Sequence, residues 1–305
     1  MTRVAVLMGG PSAEREVSLV SGKACADALG SEGYEVVSID VGRDVGALLR
    51  ALEPRPDVVF NALHGRFGED GCVQGVLNLM GIPYTHSGLL ASSLAMDKTM
   101  AKRVFAAAGI RCPEGIEIAP SALDQGDPMP RPYIVKPANE GSSVGVRIVR
   151  TGDNQPPRAR EWAFGARVLV EKFIPGRELT VAVMGDRPLA VTELRPHSGF
   201  YDYEAKYTEG RTDHLVPAPV PPAVYEEALR VARLAHQALG CRGVSRADFR
   251  FDDTGEAGPK QLYLLEINTQ PGMTPLSLVP EQARHIGIGF PKLVRWMVEN
   301  AQCDA

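Results

Sequence analysis

The chain has 305 residues and a formal net charge of -4, with 44% hydrophobic and 23% charged residues. This length exceeds what one hydrophobic core usually serves, so we expect two or three domains. The hydrophobic and charged fractions are ordinary for a globular protein, and the weakly acidic balance argues against a nucleic-acid-binding surface.

The first hundred residues alternate between short apolar strands and amphipathic helices. Strands are expected at "RVAVLMGG", "YEVVSID" and "PDVVFNALHG", with helices at "AEREVSLVSGKACADALGSEG" and "DVGALLRAL". This βαβ alternation predicts a parallel sheet with helices on both faces. The segment "MDKTMAKRVFAAAG" is then expected to form a helix that leads out of the first domain.

The middle of the chain has a different pattern, with β-branched strands separated by turns. The segments "RPYIVKPANEGSSVGVRIV", "RVLVEKFIPG" and "RELTVAVMGDRPLAVTEL" predict an antiparallel sheet. Residues 197–222 show neither helical nor strand periodicity, and a loop this long in a compact domain commonly serves a function when it is ordered. An amphipathic helix, two acid-bearing strands and a helical tail complete the chain.

Two of these late strands carry acids on apolar backgrounds. Glu266 and Asn268 of "LYLLEINTQPG" are two residues apart in a strand, so they project to one face, and a hairpin could bring Asp248 of "SRADFRF" beside them. Such oxygen ligands suit Mg²⁺ shared with phosphates. Arg246 or Arg250 could instead neutralise these acids, and the residues alone do not separate the two interpretations.

The segment "VKPANEGSSVGV" is a candidate phosphate site. Lys136 ends a strand, and the small residues 140–143 and Gly145 offer backbone N–H groups and hydroxyls to phosphate oxygens. The chain has no Walker A loop. An ordinary Gly/Ser hairpin is the alternative interpretation. Glu171, at the end of a later strand, could hold a ribose hydroxyl or pair with a lysine.

Two further polar residues are expected at the carboxyl edge of the parallel sheet, where open α/β sheets bind ligands. Glu14 follows the first strand and could bind a ligand or merely favour the helix start. His64 follows the third strand and could orient a substrate or be an ordinary turn histidine. The sequence here does not fit G-x-G-x-x-G, which disfavours a dinucleotide, and the other histidines show no zinc-ligand spacing.

The order of these features is more specific than any one of them. Six motifs occur in sequence: "GGPSAEREVS", "ALHGRFGEDG", "MDK", "VKPANEGSSVGV", "FYDYEAKY" and "LLEINTQPGMTPLSLVP". Together they closely resemble the D-alanine–D-alanine ligases of the ATP-grasp superfamily, from about Val4 to the C-terminal helix. The resemblance implies an α/β chain (α+β overall) with three domains and ATP clamped between the second and third.

The implied domains are an N-terminal βαβ substrate-binding domain at 1–97, a central ATP-grasp subdomain at 98–185 and a C-terminal catalytic domain at 186–305. The last includes a loop at about 197–215 that the resemblance identifies as a lid, which would keep water from a reactive intermediate.

The resemblance also implies a role for individual residues toward ATP. Lys98 and Lys136 look like the lysines that hold the nucleotide phosphates, and Lys206 resembles a loop lysine that reaches the transferred phosphate. The residues matching the adenine and ribose site are Glu171, Phe173, Ile174 and Glu178. The residues matching the ligands of two Mg²⁺ ions, for which Mn²⁺ could substitute, are Asp248, Glu266 and Asn268.

For the amino-acid substrates, Glu14 resembles the residue that receives the ammonium of the first D-alanine, and His64 is expected beside it. Ser142 and Tyr207 would share a hydrogen-bonded set with Glu14. The second D-alanine and the reacting carbonyl would be met by Ser277, Leu278, Arg246 and the backbone N–H of Gly272.

The implied reaction joins two D-alanines through a D-alanyl phosphate, releases ADP and phosphate, and serves peptidoglycan precursor synthesis. The implied partners are D-alanine, ATP and a second copy of the chain in a homodimer. A D-alanine–D-lactate ligase is an alternative that Tyr207 disfavours. Another ATP-grasp ligase should lack "AEREVS" and "SLVP", and a non-catalytic nucleotide-binding protein should have lost some of the metal ligands or Arg246.

The sequence departs from the family pattern in two places. Val244 and Ser245 precede Arg246 where the family often has an aromatic residue and glycine, and the segment between Arg150 and Val168 is short. The five cysteines are scattered without a C-x-x-C pair, which favours a reducing compartment. With no signal-peptide or membrane-span pattern, we expect a cytoplasmic protein that binds neither membrane nor nucleic acid.

Overall fold

The computed structural model describes residues 1–141, 145–152, 157–197, 210–274 and 277–304. Within these ranges twelve strands form three sheets of three, four and five strands. Among the described residues, every helix is too short or too polar to span a bilayer.

The amino-terminal sheet is parallel, with strand order β2-β1-β3. Its elements and the helices that follow are β1 (Arg3–Gly9), α1 (Arg15–Ser31), β2 (Glu35–Val41), α2 (Val45–Ala51), β3 (Val58–Asn61), α3 (Cys72–Met80) and α4 (Leu89–Met96). Side chains of β1 alternate between two cores: Val4 and Val6 pack with α1, whereas Ala5 and Leu7 pack with α2 and α3. The predicted parallel sheet with helices on both faces is therefore confirmed.

The central sheet is antiparallel, with strand order β4-β7-β5-β6. Helix α5 (Lys98–Ala107) leads to β4 (Gly115–Ile118), β5 (Tyr133–Pro137), β6 (Arg147–Val149) and β7 (Val168–Lys172), with short 3₁₀ turns at Pro120–Gln125 and Ala159–Glu161. Asp97 caps α5 by accepting from the Met100 N–H, and Arg167 pairs with both Asp97 and Glu117. These contacts fix α5 against the central sheet.

The carboxyl-terminal sheet is antiparallel, with strand order β10-β9-β8-β11-β12. Its strands are β8 (Arg177–Met184), β9 (Arg187–Pro196), β10 (Thr212–Leu215), β11 (Val244–Phe251) and β12 (Leu262–Asn268), and its helices are α6 (Pro222–Ala238), α7 (Leu278–His285) and α8 (Phe290–Glu299). A 3₁₀ turn at Pro259–Gln261 precedes β12. Asp248 lies opposite Glu266 in the register of β11 and β12, as the hairpin interpretation expects.

Strand pairing bears on the division between the central and carboxyl-terminal units. The division expected after residue 185 would separate β8 from β9 and β11, its two partners in the five-stranded sheet. Because backbone hydrogen bonds join these three strands, we propose that the division lies in the turn at 173–176 instead.

Candidate active site

Two adjoining clefts lie between the sheets and share Lys98, Glu140 and Glu266 along their common wall. We call the first the amino-terminal cleft; its lining includes Glu14, His64, Glu69, Asn268, Arg246, Gly272, Ser277 and Leu278. We call the second the central cleft; its lining includes Lys136, Glu171, Phe173, Ile174, Glu178, Asp248 and Arg250. The structure thus brings every described residue of the expected site to one of two connected spaces.

A buried carboxylate anchors the central cleft. Glu171 on β7 is only 1% exposed, and its carboxylate contacts the ammonium of Lys136 at 2.5 Å and that of Lys102 from α5. Since a buried charge is stable only with partners, this pairing explains how the acid is accommodated. Of the two sequence interpretations for Glu171, the structure shows pairing with lysine.

Lys102 was missed by reasoning from the sequence. It lies four residues after Lys98, which places both on one face of α5, and that spacing was the available signal. The Lys102 ammonium also donates to the Pro113 carbonyl at 3.0 Å. Burial lowers its pKa to about 8.

Two lysines, Lys98 and Lys136, therefore line the central cleft, and a third, Lys102, lies behind it against Glu171. Burial, and next the charges of Lys102 and Lys98, lower the pKa of Lys136 well below its ordinary value. Repulsion and desolvation both disfavour this cluster in isolation. An anion with several oxygens would offset both the repulsion between the lysines and the cost of their desolvation, because each ammonium that lines the cleft could donate to it. The cleft is therefore suited to a polyphosphate.

The far wall of the central cleft carries the residues expected around a nucleoside. Phe173 and Ile174 lie in the turn between β7 and β8, and Glu178 is on β8. Arg250 on β11 places its Nη1 3.5 Å from the Glu178 Oε2. Arg250 is thus a partner of Glu178, whereas the sequence interpretation considered it as a partner of the acids on the late strands.

The late-strand acids meet cations in the structure. Arg246 donates two hydrogen bonds, of 2.8 and 2.6 Å, to the Asp248 carboxylate, and Thr180 Oγ1 donates to the same carboxylate at 2.7 Å. Glu266 Oε2 lies 3.2 Å from Lys98 Nζ. The charge-neutralising interpretation is therefore realised for Asp248 by Arg246, and Glu266 is met by a lysine.

The same residues provide a sparse oxygen donor set for a metal. Asp248 and Glu266 face each other across the hairpin, and Asn268 follows on the same face, its Oδ1 accepting from the Gln270 N–H at 2.7 Å. No group of three or more His, Cys, Asp or Glu side chains suited to a metal occurs among the described residues. Two carboxylates and an amide oxygen fit Mg²⁺, which commonly completes its ligands with water and phosphate oxygens.

Glu14 anchors the amino-terminal cleft. It occupies the position before α1, yet its side chain makes no capping hydrogen bond and is only 6% exposed. A Cβ added to Gly141 would lie 2.9 Å from Glu14 Oε1, and one added to Gly65 would lie 3.1 Å from it. Backbone from two loops therefore closes tightly around this carboxylate, and a side chain at Gly141 would displace it.

His64 is buried and well partnered. Its Nδ1 lies 3.2 Å from the Gln270 carbonyl oxygen and 3.4 Å from Glu69 Oε1, and its Nε2 lies 3.1 Å from Ser21 Oγ. Glu69 is buried, lines the cleft and was missed by the sequence reasoning, although it lies in the same motif as His64. The histidine therefore combines a structural role with a place beside the cleft.

The opposite wall of this cleft is formed by the segment before α7. Ser277 Oγ accepts from the Thr274 N–H at 2.9 Å, and a Cβ on Gly272 would lie 2.8 Å from that same oxygen. Leu278 is buried against Leu194 of β9. Glycine at 272 thus allows the backbone to approach the serine hydroxyl.

Three expected site residues, Ser142, Lys206 and Tyr207, lie outside the described residues, as do residues 198–209 of the expected lid. The prediction of an irregular loop is wrong at its end, because Thr212–Leu215 forms β10 and pairs with β9 in the five-stranded sheet.

Comparisons with known proteins agree on one family. The model of the D-ala D-ala ligase C-terminus matches residues 126–299, and that of the D-ala D-ala ligase N-terminus matches residues 46–87. A D-alanine--D-alanine ligase of Paramagnetospirillum magneticum is 64% identical over 304 residues, covering 99% of each chain, and one of Acidiphilium cryptum is 60% identical with the same coverage.

Solved structures give the same result. The crystal structure of D-alanine--D-alanine ligase from Bacillus anthracis complexed with ATP has a TM-score of 0.81 and 31% identity, covering 98% of this chain and 96% of that one. A second structure from that organism has a TM-score of 0.82 and 32% identity, covering 98% of this chain and 97% of that one. The chain therefore belongs to the D-alanine–D-alanine ligase family.

Proposed function

We propose that this chain ligates two D-alanines in an ATP-dependent reaction, forming D-alanyl-D-alanine, ADP and phosphate through a D-alanyl phosphate. The observation that carries this proposal is the common wall of the two clefts, where Lys98, Glu140 and Glu266 line both. A polyphosphate in the central cleft and a carboxylate in the amino-terminal cleft would meet there. Relatives at 60 to 64% identity named as D-alanine--D-alanine ligases support the same reaction.

ATP would occupy the central cleft. Lys98 and Lys136 would bind its phosphates, and the nucleoside would lie against Phe173, Ile174 and Glu178. Burial of the lysines strengthens their attraction to phosphate because little water screens it. Glu171, held between Lys102 and Lys136, would then face the base with its own charge already compensated.

Asp248, Glu266 and Asn268 would hold Mg²⁺ together with the phosphates. Such an ion, when bound, offsets phosphate charge that develops during transfer. Lys98 already lies 3.2 Å from Glu266, so this lysine can turn to a phosphate oxygen while remaining at the common wall.

Glu14 would receive the ammonium of the first D-alanine, with His64 and Glu69 beside it. Its low exposure leaves little water to screen an ion pair with that ammonium. The first D-alanine's carboxylate would thus point toward the common wall, where it accepts the phosphoryl group.

The second D-alanine would lie against Ser277 and Leu278. Its amine attacks the acyl phosphate carbonyl, and the resulting oxyanion would be met by Arg246 and the Gly272 N–H. The two hydrogen bonds from Arg246 to Asp248 fix the guanidinium before substrate arrives. The attacking nitrogen then gives up a proton, the carbonyl carbon–oxygen bond to phosphate breaks, and phosphate leaves with the peptide bond formed.

For Ser142, Lys206 and Tyr207 the proposal rests on sequence motifs. Ser142 and Tyr207 would complete the hydrogen-bonded set at Glu14, and Lys206 would reach the transferred phosphate from the expected lid. Tyr207 also favours an amine over a hydroxy acid as the second substrate, so Tyr207→Phe is expected to raise the depsipeptide share of the product. An unchanged product ratio with D-alanine and D-lactate in competition would contradict that assignment.

We also propose that the protein works as a homodimer in the cytoplasm and supplies D-alanyl-D-alanine to peptidoglycan precursors. Light scattering after size-exclusion chromatography tests the dimer: a monomeric mass at working concentrations would contradict it.

The decisive test of the reaction is ADP release by the purified protein with ATP, Mg²⁺ and D-alanine, with products identified by mass spectrometry. Near-stoichiometric ADP and D-alanyl-D-alanine is the expected result. ADP without dipeptide would indicate another nucleophile, such as a hydroxy acid. Absence of ADP with D-alanine would point to a different ATP-grasp substrate and overturn the roles proposed for Glu14 and Ser277.

A further inference from the structure

Arg250, on β11, directs its guanidinium into the wall of the central cleft. Its Nε donates to the Ile174 carbonyl at 3.1 Å and its Nη2 donates to the Gly176 carbonyl at 2.6 Å. Its Nη1 lies 3.5 Å from Glu178 Oε2, and its Cζ lies 5.9 Å from the centre of the Phe173 ring. Each of these partners belongs to the 173–178 segment on the nucleoside side of the cleft.

This segment connects two sheets. It leaves β7 of the central sheet and enters β8 of the carboxyl-terminal sheet, in which Arg250 lies directly opposite Glu178. Gly176 has a φ of +88°, and a Cβ there would clash with the Phe251 carbonyl oxygen. The turn therefore packs closely against the end of β11. Hydrogen bonds from Arg250 connect the Ile174 and Gly176 carbonyls of the turn to that strand.

The chemistry of a guanidinium suits this task. Its planar fork donates several hydrogen bonds in fixed directions, so one side chain can hold two carbonyls, a carboxylate and a ring in one arrangement. Burial lowers the pKa of Arg250, partly offset by Glu178, yet the group stays charged because its ordinary value is so high. The guanidinium thus places a positive charge beside the Glu178 carboxylate, whose oxygens can accept hydroxyl hydrogen bonds.

We propose that Arg250 is a positioning residue for the nucleotide: it holds the 173–176 turn and the Glu178 carboxylate in the geometry that receives the base and ribose. This inference rests on the proposed function, because it takes ATP as the occupant of the central cleft. Arg250 acts through the wall and lies at the nucleoside side, whereas phosphoryl transfer takes place at the common wall of Lys98, Glu140 and Glu266. Its loss therefore weakens nucleotide binding and leaves the chemical step of bound substrates intact.

The test compares Arg250→Met and Arg250→Lys with the wild-type enzyme. Methionine keeps much of the side-chain volume but removes every donor, so we expect KM for ATP to rise by about tenfold to hundredfold. The rate at saturating ATP and KM for D-alanine are expected to change by less than about twofold. Lysine keeps the charge beside Glu178 but cannot fork between two carbonyls, so its KM for ATP should fall between the other two.

Arg242→Met is the matched control. Arg242 makes the same kinds of contact elsewhere: an ion pair with Asp304 at 2.5 Å, a hydrogen bond to the Gln302 carbonyl at 2.5 Å and a stacked position 4.7 Å from the Tyr84 ring centre. It lines neither cleft. Its variant is expected to lose thermal stability while KM for ATP stays at the wild-type value.

Two further measurements separate positioning from a general loss of structure. Calorimetric titration with a non-hydrolysable ATP analogue should show the same loss of affinity as KM, without any turnover. With 2′-deoxy- and 3′-deoxy-ATP, the penalty of Arg250→Met should shrink for whichever hydroxyl Glu178 binds, because that contact is already missing.

An unchanged KM for ATP in Arg250→Met, with a wild-type enzyme that forms dipeptide, would overturn the inference and leave the proposed function standing. Equal effects on KM for ATP, KM for D-alanine and kcat would also overturn it, because they would indicate a structural role alone. If Arg250→Met does not fold, Arg250→Lys carries the same comparison. A wild-type protein that forms no ADP would overturn the proposed function itself.

Discussion

The Lys98 ammonium lies 3.2 Å from the Glu266 carboxylate, at the line where the two clefts meet. The same ammonium donates to the Glu140 carbonyl at 2.7 Å, so it joins α5, the loop after β5 and the end of β12. A cation held between a carboxylate and a carbonyl is partly satisfied but can exchange either partner for a phosphate oxygen. Nucleotide binding at this lysine would therefore act on both the central and the carboxyl-terminal sheet units.

Glu266→Gln tests the carboxylate of that pair. The amide keeps the shape of the side chain but loses the charge that Lys98 and a divalent cation require, so we expect ADP formation to fall by about a hundredfold or more. The Mg²⁺ concentration for half-maximal rate should also rise. The measurement is coupled ADP release across a magnesium titration.

Glu256→Gln provides the control for this substitution. Glu256 is exposed in the turn between β11 and β12, and its variant should behave as wild type. Full activity of Glu266→Gln at high Mg²⁺ would contradict the role given to this carboxylate.

Lys102→Met tests the buried pair behind the central cleft. Without Lys102, the 1% exposed Glu171 retains Lys136 as its remaining lysine contact, and we expect the free energy of unfolding to fall by about 3 kcal/mol. KM for ATP should rise as well, because Glu171 and Lys136 both line the central cleft. Thermal unfolding with and without ATP measures both effects.

Arg103→Met, next to it on the exposed side of α5, is the comparison variant, and its stability should stay within about 0.5 kcal/mol of wild type. Equal unfolding temperatures for the Lys102 and Arg103 variants would rule out a stabilising role for the buried pair.

Much of the fold followed from the sequence because its signals are local. The βαβ rhythm of the first hundred residues predicted the parallel sheet, and the spacing of Glu266 and Asn268 predicted their shared face. The partners that cross between distant segments could not be derived in this way. Lys102 reaches Glu171 and Arg250 reaches Ile174 only because α5, β7 and β11 converge in space, and no periodicity reports such convergence.

The sequence also did not determine which charged residues form ion pairs with each other. Asp248 has arginines two residues away on either side, and both point to the same face of β11. The structure pairs Asp248 with Arg246 and pairs Arg250 with Glu178. This assignment depends on the register between β11 and β8, which a single sequence does not reveal.

Acid stability should depend on His86. This residue is 3% exposed, and burial, with a smaller contribution from nearby His64, lowers its pKa to about 3. In the unfolded chain a histidine binds a proton below about pH 6.5. Between about pH 6.5 and 3, His86 is therefore protonated in the unfolded chain and neutral in the folded protein. Its contribution to the free energy of unfolding is fully present above this window and is lost at about 1.4 kcal/mol per pH unit as the pH falls through it.

His86→Asn removes the titrating group. Asparagine also suits the backbone, because His86 has a φ of +68° and asparagine tolerates the left-handed region. We expect the variant to lose less stability than wild type between pH 6.5 and 4, in denaturant titrations at closely spaced pH values. Parallel curves for the two proteins would show that His86 does not set the acid slope.

Glu14→Gln tests the amino-acid end of the site. Gly141 and Gly65 crowd the Glu14 carboxylate so closely that it has little freedom to move, and its 6% exposure leaves little water to screen its charge. Replacing the charge by an amide of the same shape should therefore weaken the ion pair with a substrate ammonium, raising KM for the first D-alanine by about a hundredfold or more. KM for ATP should stay near wild type, because Glu14 does not line the central cleft.

Glu16→Gln separates this effect from a change at the start of α1. Glu16 is exposed in the first turn of the same helix, so its variant changes the charge near the helix start without touching the cleft. Initial rates over a D-alanine series at saturating ATP should leave Glu16→Gln unchanged and shift Glu14→Gln to high D-alanine. Equal shifts in both variants would mean that Glu14 acts through the helix terminus. The ammonium of the first D-alanine would then require another partner, and Glu69 is a second buried acid that lines the same cleft.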